Sequence, residues 1–332
     1  MTLCIRVPKA SGEEVRRRLI SSGLLNTAAK IRIDEDSILI PILSDSFGDY
    51  DVIDADLEPI YREETDYRNV ADVPDELKEL LPNSYDVIGD IAIIKLHDDL
   101  LLYASQIGDA LLRTQLFRAV MLDLGVKGEL RLRNIKMIAG TGTAETKHRE
   151  FGVTMFVDPE KVYFNPRLSA ERMRVASLAK DGEVIIDMFA GVAPFPLVIS
   201  SRSDPSVIYS IDINPDAVEL MHRNIELNRM KKIVPMCGDS GVLIKELPPA
   251  DRIIMNLPQT ADTFIESALS NVKKGGTIHM HKVMERASSE SAVSDLIDEM
   301  KKKGHSIRIG RMAELKTYSP TASIYVLDII KE

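Results

Sequence analysis

Three short stretches place acidic residues at the ends of apolar runs. Asp187-Met-Phe-Ala-Gly-Val-Ala-Pro194 follows Val184-Ile-Ile186, Asp212-Ile-Asn-Pro215 ends Val207-Ile-Tyr-Ser-Ile211, and Gly238-Asp239 follows Ile233-Val-Pro-Met-Cys237. Such runs read as strands, and a strand's carboxyl end is where parallel α/β sheets bind ligands. A dinucleotide's pyrophosphate needs G-x-G-x-x-G for close backbone approach, and here Gly191 is the one glycine of the turn. An acid, a tight turn with one glycine, and Pro194 in the first helical turn, where proline costs little, suit S-adenosylmethionine instead. Asp212 lies 25 residues beyond Asp187, near the spacing of roughly 20 for an acid that accepts from ribose hydroxyls. Asp239 would accept from an adenine amino group. Each acid alone is better explained by loop formation; three at successive strand ends point to a cofactor. Phe189, Gly191, Val192 and Pro194 of the first loop, Asn214 of the second, and Asn256 after the fourth strand complete the candidate cofactor set.

The elements that must position these residues alternate from residue 169 onward. A helix over 169–179 precedes strands at 183–190, 207–213, 233–239, 251–257 and 276–283, with helices between them, at 215–228 and near 261–271. That pattern is a doubly wound parallel sheet. Two further strands, in HSIRIGRMAEL and ASIYVLDII, close the chain. An antiparallel pair added there marks a class I, Rossmann-like methyltransferase domain, expected over 169–332. Upstream, residues 83–168 read as a middle α+β domain with a mainly antiparallel sheet: strands at 87–96, 128–140, 151–158 and 161–165 around one helix over 101–124. Residues 1–44 read as a small β-α-β-β domain, marginal alone at that size. Residues 45–82, with three prolines, read as an acidic linker.

The 332 residues, 45% hydrophobic and 28% charged, exclude global disorder and a disulfide scaffold. No run of about 18 apolar residues suggests a membrane span, and the N-terminus lacks an export signal. Cys4 and Cys237 have no ligand-like spacing, which leaves a reduced, cytoplasmic compartment and no metal. The net charge of −9 hides an asymmetry: residues 45–80 hold 13 acids and 3 bases, whereas residues 113–174 hold 12 Lys/Arg and 7 Asp/Glu. The second count is the footprint of a nucleic-acid groove, although a pair of solvated surfaces would give the same numbers.

LCIRVPK (3–9), SYDVIGDIAI (84–93), GELRLR (128–133), TKHREFG (146–152), KVYFNPRL (161–168), DMFAGVAPF (187–195), DINPDAVEL (212–220) and IMNLP (254–258) together carry a resemblance over essentially the whole chain. The chain resembles the archaeal–eukaryotic tRNA (guanine-N1)-methyltransferase family, which acts at position 37, 3′ of the anticodon. It departs from that family at Ala193, which stands for a second glycine, at Pro196, which stands for a small polar residue, and at Gln259, where lysine is common.

The resemblance implies a class I fold, S-adenosylmethionine as cofactor, and tRNA as partner through its anticodon stem-loop and, at the N-terminal domain, its outer corner. No membrane association and no obligate protein partner are expected from the sequence, and a monomer is the expected state. Guanine N1 is protonated at neutral pH, so the site needs a base, a cation near O6, and groups that hold the flipped guanine. Glu171 matches the family's general base, Arg131 the residue that stabilises O6, Tyr163 one that positions the base, and Asn256 and Pro258 the loop that grips guanine.

Each also has a plainer reading. An acid in a first helical turn complements the dipole. Arg131 and Arg133 share one strand face, where they would be solvated or hold phosphate, and Arg133 is the alternative donor. Tyr163 would be the wet side of an edge strand, and His148 a local hydrogen-bonding residue. Two other functions compete. One is a wybutosine-pathway transfer to a tricyclic guanosine, of a methyl or aminocarboxypropyl group. The other is a non-catalytic tRNA-binding protein.

Overall fold

The computed structural model describes residues 2–22, 24–26, 29–34, 36–58, 65–128, 130 and 132–332. They form two compact units, Met1–Val70 and Ala71–Glu332.

The first unit contains β1 (Thr2–Pro8), α1 (Gly12–Ser21), β2 (Arg32–Ile33), β3 (Ser37–Pro41), β4 (Val52–Ala55) and α2 (Tyr67–Val70). Its sheet runs β2-β3-β1-β4, all antiparallel. Val15 and Leu19, one helical turn apart on α1, are buried against Ile5, Val7, Ile40 and Ile42, while Cys4, Leu39, Ala55 and Leu57 form a second cluster. The boundary expected at residue 44 therefore moves. Val52–Ala55 lies in the stretch read as a linker, yet it pairs with β1 from Thr2↔Ala55 to Ile5↔Val52. The acids around it masked a strand whose backbone protects the edge of β1.

The second unit opens with β5 (Asp86–Ile88), β6 (Ile91–Ile94), α3 (Ala104–Thr114), β7 (Ala119–Lys127) and β8 (Leu132–Gly140), in the sheet order β5-β6-β7-β8. The helix expected over 101–124 stops at Thr114, and β7 follows. Ala119, Val120, Met121 and Leu122 are all buried, between β6 on one side, parallel, and β8 on the other, antiparallel. Burial on both faces removes the two-residue alternation that would have announced the strand. The hairpin β9 (Thr146–Glu150) and β10 (Val153–Val157) forms a sheet of its own. Residues 161–165, expected as a strand, are irregular. Their carbonyls are taken up by side chains, Lys161 O by Asn214 Nδ2 and Asn165 O by Arg172.

Next come α4 (Ser169–Leu178), β11 (Val184–Asp187), α5 (Pro194–Ser200), β12 (Val207–Asp212), α6 (Pro215–Asn228), β13 (Ile233–Cys237), α7 (Ser240–Leu243), β14 (Ala250–Met255), α8 (Ile265–Asn271), β15 (Val272–Glu285), α9 (Ser289–Lys302), β16 (Ile307–Thr317) and β17 (Ala322–Lys331). The seven strands lie in the order β13-β12-β11-β14-β15-β17-β16. Five are parallel, and β17 runs antiparallel between β15 and β16. Alternate residues of the central strands feed two cores. Ile185 and Ile254 pack with α4, α5, α6 and the β9–β10 hairpin, and Ile186, Ile253, Met255 and Met280 with α8 and α9.

The first of these cores also contains Ile91, Met121, Val153 and Met155. Regions 83–168 and 169–332, read from sequence as separate domains, thus share one apolar interior. A polar ladder reinforces it. Asn224 and Asn228, one turn apart on α6, bond the N–H and C=O of Phe156 and Thr154, two apart on β10. The rise of one helical turn, about 6 Å for four residues, matches two strand residues at about 6.7 Å. Among the described residues no helix is long and apolar enough to cross a membrane.

Candidate active site

The carboxyl ends of β11, β12 and β13 bring the three acids together. Asp187 is fully buried. Its Oδ1 accepts from Phe189 N at 3.3 Å, and its Oδ2 has no partner among the described residues. Burial, with Asp212 nearby, pushes its pKa up to about 8. Asp212 Oδ2 accepts from Gly191 N at 2.6 Å and Oδ1 from Asn214 N at 2.9 Å, so it staples the first loop to the second. Burial raises the Asp212 pKa too. Asp239 is exposed and accepts from Gly241 N at 2.7 Å at the start of α7.

The loop between β11 and α5 turns through Gly191, at φ +54°, and Ala193, at φ +66°. Gly191 faces the Tyr163 carbonyl, 3.6 Å from where a Cβ would sit. Ala193 holds a left-handed conformation that costs a non-glycine residue about 1–2 kcal/mol, which is where the departure from glycine has its effect. Pro194 opens α5. Phe189 packs edge-on against Phe264 at 5.0 Å.

Two residues of the candidate cofactor set have other employment. The Val192 side chain lies in the core and its carbonyl accepts from Asn224. Asn214 caps α6 through Asp216 N and donates to Lys161 O, tying residues 161–165 across the loops.

The orphaned Asp187 Oδ2 is the test of fit for a cofactor. A carboxyl held above its ordinary range by burial, with one oxygen unmet, suits a ligand that brings positive charge, as S-adenosylmethionine does.

Glu171 sits in the first turn of α4 but does not cap it. It is buried, and both oxygens accept from Arg174, Oε2 from Nε and Oε1 from Nη2, each at 2.7 Å. Across the sheet surface His281 Nε2 lies 3.9 Å from Glu171 Oε1. His281 is on β15, beside which the 256–259 loop runs, with Val283 N donating to Pro258 O at 2.8 Å. Glu171 and the Asn256–Pro258 loop therefore meet around one strand. Tyr163, on the segment before α4, is exposed. Neighbouring Arg172 points the other way, buried against Glu150 and the Asn165 carbonyl, and so anchors α4 to the hairpin.

Arg131 lies outside the described residues. Arg133, the alternative donor, is committed to Asp86 at 2.6 Å and Asp123 at 3.4 Å. His148 accepts from Gly89 N through Nδ1 and donates to Glu150 through Nε2, a local hydrogen-bonding role. The cations of 113–174 divide in the same way. Arg118 staples Asp90 and the carbonyls of Thr141, Thr143 and Glu145, Arg172 is buried on Glu150, and the half-buried Arg174 is held by Glu171 and Asp328. Lys127, Lys136, Lys147 and Arg149 are exposed. Lys147 and Arg149 line an open cleft of about 580 Å³ with Phe156, whose ring lies under both Lys147 and Arg223.

Sequence reasoning missed the amide ladder of Asn224 and Asn228, and the buried polar residues His279, His281, Arg252 and Asp328. The signals were present: an Asn pair at i, i+4, and His-Met-His inside an apolar strand.

A seven-stranded sheet in this order, with acids closing its first three strands around a glycine turn, defines a class I S-adenosylmethionine-dependent methyltransferase. Residues 146–309 match the TRM5/TYW2 methyltransferase domain, residues 70–143 the TYW2 N-terminal domain, and residues 4–51 the tRNA methyltransferase 5 N-terminal domain. The chain is 43% identical over 283 residues to tRNA (guanine(37)-N(1))-methyltransferase Trm5b of Pyrococcus abyssi, covering 85% of this chain and 84% of that one. The crystal structure of Trm5b from Pyrococcus abyssi superposes with a TM-score of 0.84 at 38% identity over 100% of both chains. A complex of aTrm5 with tRNALeu superposes with a TM-score of 0.77 at 32% identity over 99% of both. The chain belongs to the TRM5/TYW2 methyltransferase family.

Proposed function

We propose that this protein methylates N1 of guanosine 37 in tRNA with S-adenosylmethionine as methyl donor. The relatives named for that reaction support the substrate. The observation that carries the chemistry is the placement of Glu171. An acid serving only the helix dipole would lie in solvent near the first N–H groups. Glu171 is instead buried, turned onto Arg174 and His281 beside the loop that holds Asn256 and Pro258.

S-adenosylmethionine supplies an electrophilic methyl group when bound. Asp187, the Gly191 loop, Phe189 and Asp239 hold it, and Asp212 keeps that loop in place. Glu171 removes the N1 proton of guanine, and the N–H electron pair stays on N1 as the nucleophile. Negative charge then gathers on O6, and Arg131 answers it. Tyr163 offers its ring to the flipped base, and Asn256 and Pro258 hold the guanine edge. Burial keeps competing water from the base. The exposed Lys127, Lys136, Lys147 and Arg149 receive the anticodon stem-loop, and the first unit, with Arg16, Arg17 and Arg18, contacts the outer corner of the same tRNA. The enzyme works as a monomer in the cytoplasm.

The test is product identity. Unmodified tRNA is incubated with methyl-labelled S-adenosylmethionine, digested, and its nucleosides separated. Label in N1-methylguanosine is the expected result. Transfer of the aminocarboxypropyl arm, or methylation that requires a tricyclic base, would assign the wybutosine reading, and no transfer would leave a tRNA-binding protein.

A further inference from the structure

Glu171 is one end of a largely buried charged chain. Arg174 donates to Glu171 through Nε and Nη2, and to Asp328 through Nη1 at 2.7 Å and Nη2 at 2.9 Å. Asp328, on β17, stands directly opposite His279 of β15 in the strand register, with His279 Nδ1 2.6 Å from Asp328 Oδ1. His279 Nε2 meets Arg252 Nη1 at 2.6 Å, and Arg252 is paired with Glu183.

The hydrogen bonds fix the protonation of this chain. Arginine only donates, so His279 Nε2 accepts from Arg252. Its single proton is then on Nδ1, donated to Asp328 at 2.6 Å, a contact far shorter than the 3.5 Å to Arg174 Nη2, and His279 is neutral. Burial likewise holds the His279 pKa below its ordinary range. His281, fully buried with neither ring nitrogen bonded among the described residues, is pushed down by burial to about 4 and is neutral too. The Arg252–Glu183 pair cancels. What faces the base from α4, β15 and β17 is therefore Glu171 and Asp328, both anionic, one cation, Arg174, and two neutral imidazoles. The cluster carries one uncompensated negative charge.

That charge bears on the reaction. A carboxylate paired one-to-one with a buried arginine leaves the cation unmatched once it accepts a proton, and an unmatched buried charge is costly. With Asp328 present, proton uptake by Glu171 takes the cluster from −1 to neutral, and Arg174 keeps a partner. We propose that Asp328 is a positioning residue for the base: by sharing Arg174 with Glu171 it fixes the guanidinium side-on and makes acceptance of the N1 proton a neutralisation. This rests on Glu171 being the base.

The experiment is a pH profile of single-turnover methyl transfer to tRNA, whose acid limb reports ionisation of the base. In Asp328→Asn the cluster is neutral before the reaction, so the limb moves to lower pH by on the order of 1 unit, and the plateau falls about tenfold because a weaker base transfers the proton less readily. Arg174→Gln makes the cluster more negative and moves the limb to higher pH. The Asp328→Asn/Arg174→Gln double variant restores the wild-type charge and brings the limb back toward the wild-type position, and Asp328→Glu does so as a single change. Should Asp328→Asn alone not fold, Arg174→Gln and the double variant give the same ordering. A merely structural Asp328 would lower the rate without moving the limb, and that result in these variants, with Glu171→Gln abolishing the limb, overturns the proposal alone. A wild-type limb persisting in Glu171→Gln overturns the assignment of the base and the proposal with it.

Discussion

Replacing Asp187 by asparagine separates what this residue does for the cofactor from what it does to the fold. Its carboxyl is fully buried and, among the described residues, only one oxygen has a partner, at 3.3 Å. Burial raises its pKa from 3.8 to about 8. Because the folded value lies above the unfolded one, its contribution to stability is intact below about pH 4 and is lost as pH rises toward 8. At pH 7 the unfolded chain holds Asp187 ionised and the folded protein holds it largely protonated, a penalty on the order of 4 kcal/mol. Asparagine has the same shape, keeps an acceptor for Phe189 N, and does not titrate. Asp187→Asn should therefore stabilise the cofactor-free protein at pH 7 by about 2–4 kcal/mol, and by much less near pH 4. Urea unfolding at a series of pH values measures this. S-adenosylmethionine binding, measured calorimetrically, should weaken by roughly 10- to 100-fold, since a hydrogen bond to a charged group contributes about 1.5–3 kcal/mol. A variant no more stable than wild type at pH 7, or equally stabilised at both ends of the range, would refute the reasoning.

Asp212→Ala frees the Gly191 loop from β12, so both cofactor affinity and unfolding free energy should fall, the latter by about 1–3 kcal/mol in urea titrations; a loss confined to affinity would mean that the two backbone bonds contribute nothing. Asn224→Ala leaves the Phe156 N–H and two carbonyls without a partner in the core and should lower stability by about 2–4 kcal/mol; a change under about 1 kcal/mol would show that the ladder is incidental. Lys147→Ala with Arg149→Ala should reduce the slope of log tRNA affinity against log salt by about 0.7–0.9 per side chain, and an unchanged slope would place the RNA elsewhere. Deleting residues 1–70, the compact first unit, should weaken discrimination between whole tRNA and an anticodon hairpin; loss of methylation on the hairpin itself would place that unit in the catalytic core.

The cofactor end of the sheet was legible because strand-end acids announce themselves. Asp187, Asp212 and Asp239 each follow an apolar run, and loops at strand ends must carry polar residues. What those acids bond was not legible. Asp212 spans two loops by accepting from Gly191 and Asn214, which depends on strand register. β7 was hidden because burial on both faces removes alternation, and β4 because acidic residues surround it. The partners of Glu171 were the least accessible. Arg174 is three residues away on the same helix, but Asp328 is 154 residues from Arg174 in the chain, and only the antiparallel insertion of β17 beside β15 brings it to His279. Charge counting over 113–174 found a basic segment but could not separate Arg118, Arg133, Arg172 and Arg174, which bind the protein's own carboxylates and carbonyls, from the exposed Lys147 and Arg149.

In the proposed reaction the buried carboxylate of Glu171 takes the N1 proton of guanosine 37. Single-turnover methyl transfer by Glu171→Gln, with S-adenosylmethionine and tRNA affinities measured on the same preparation, tests it most directly. The predicted result is a loss of roughly 10²–10⁴-fold in the transfer rate, partly recovered at high pH, with both affinities near wild type. Transfer at the wild-type rate with both ligands bound would contradict it.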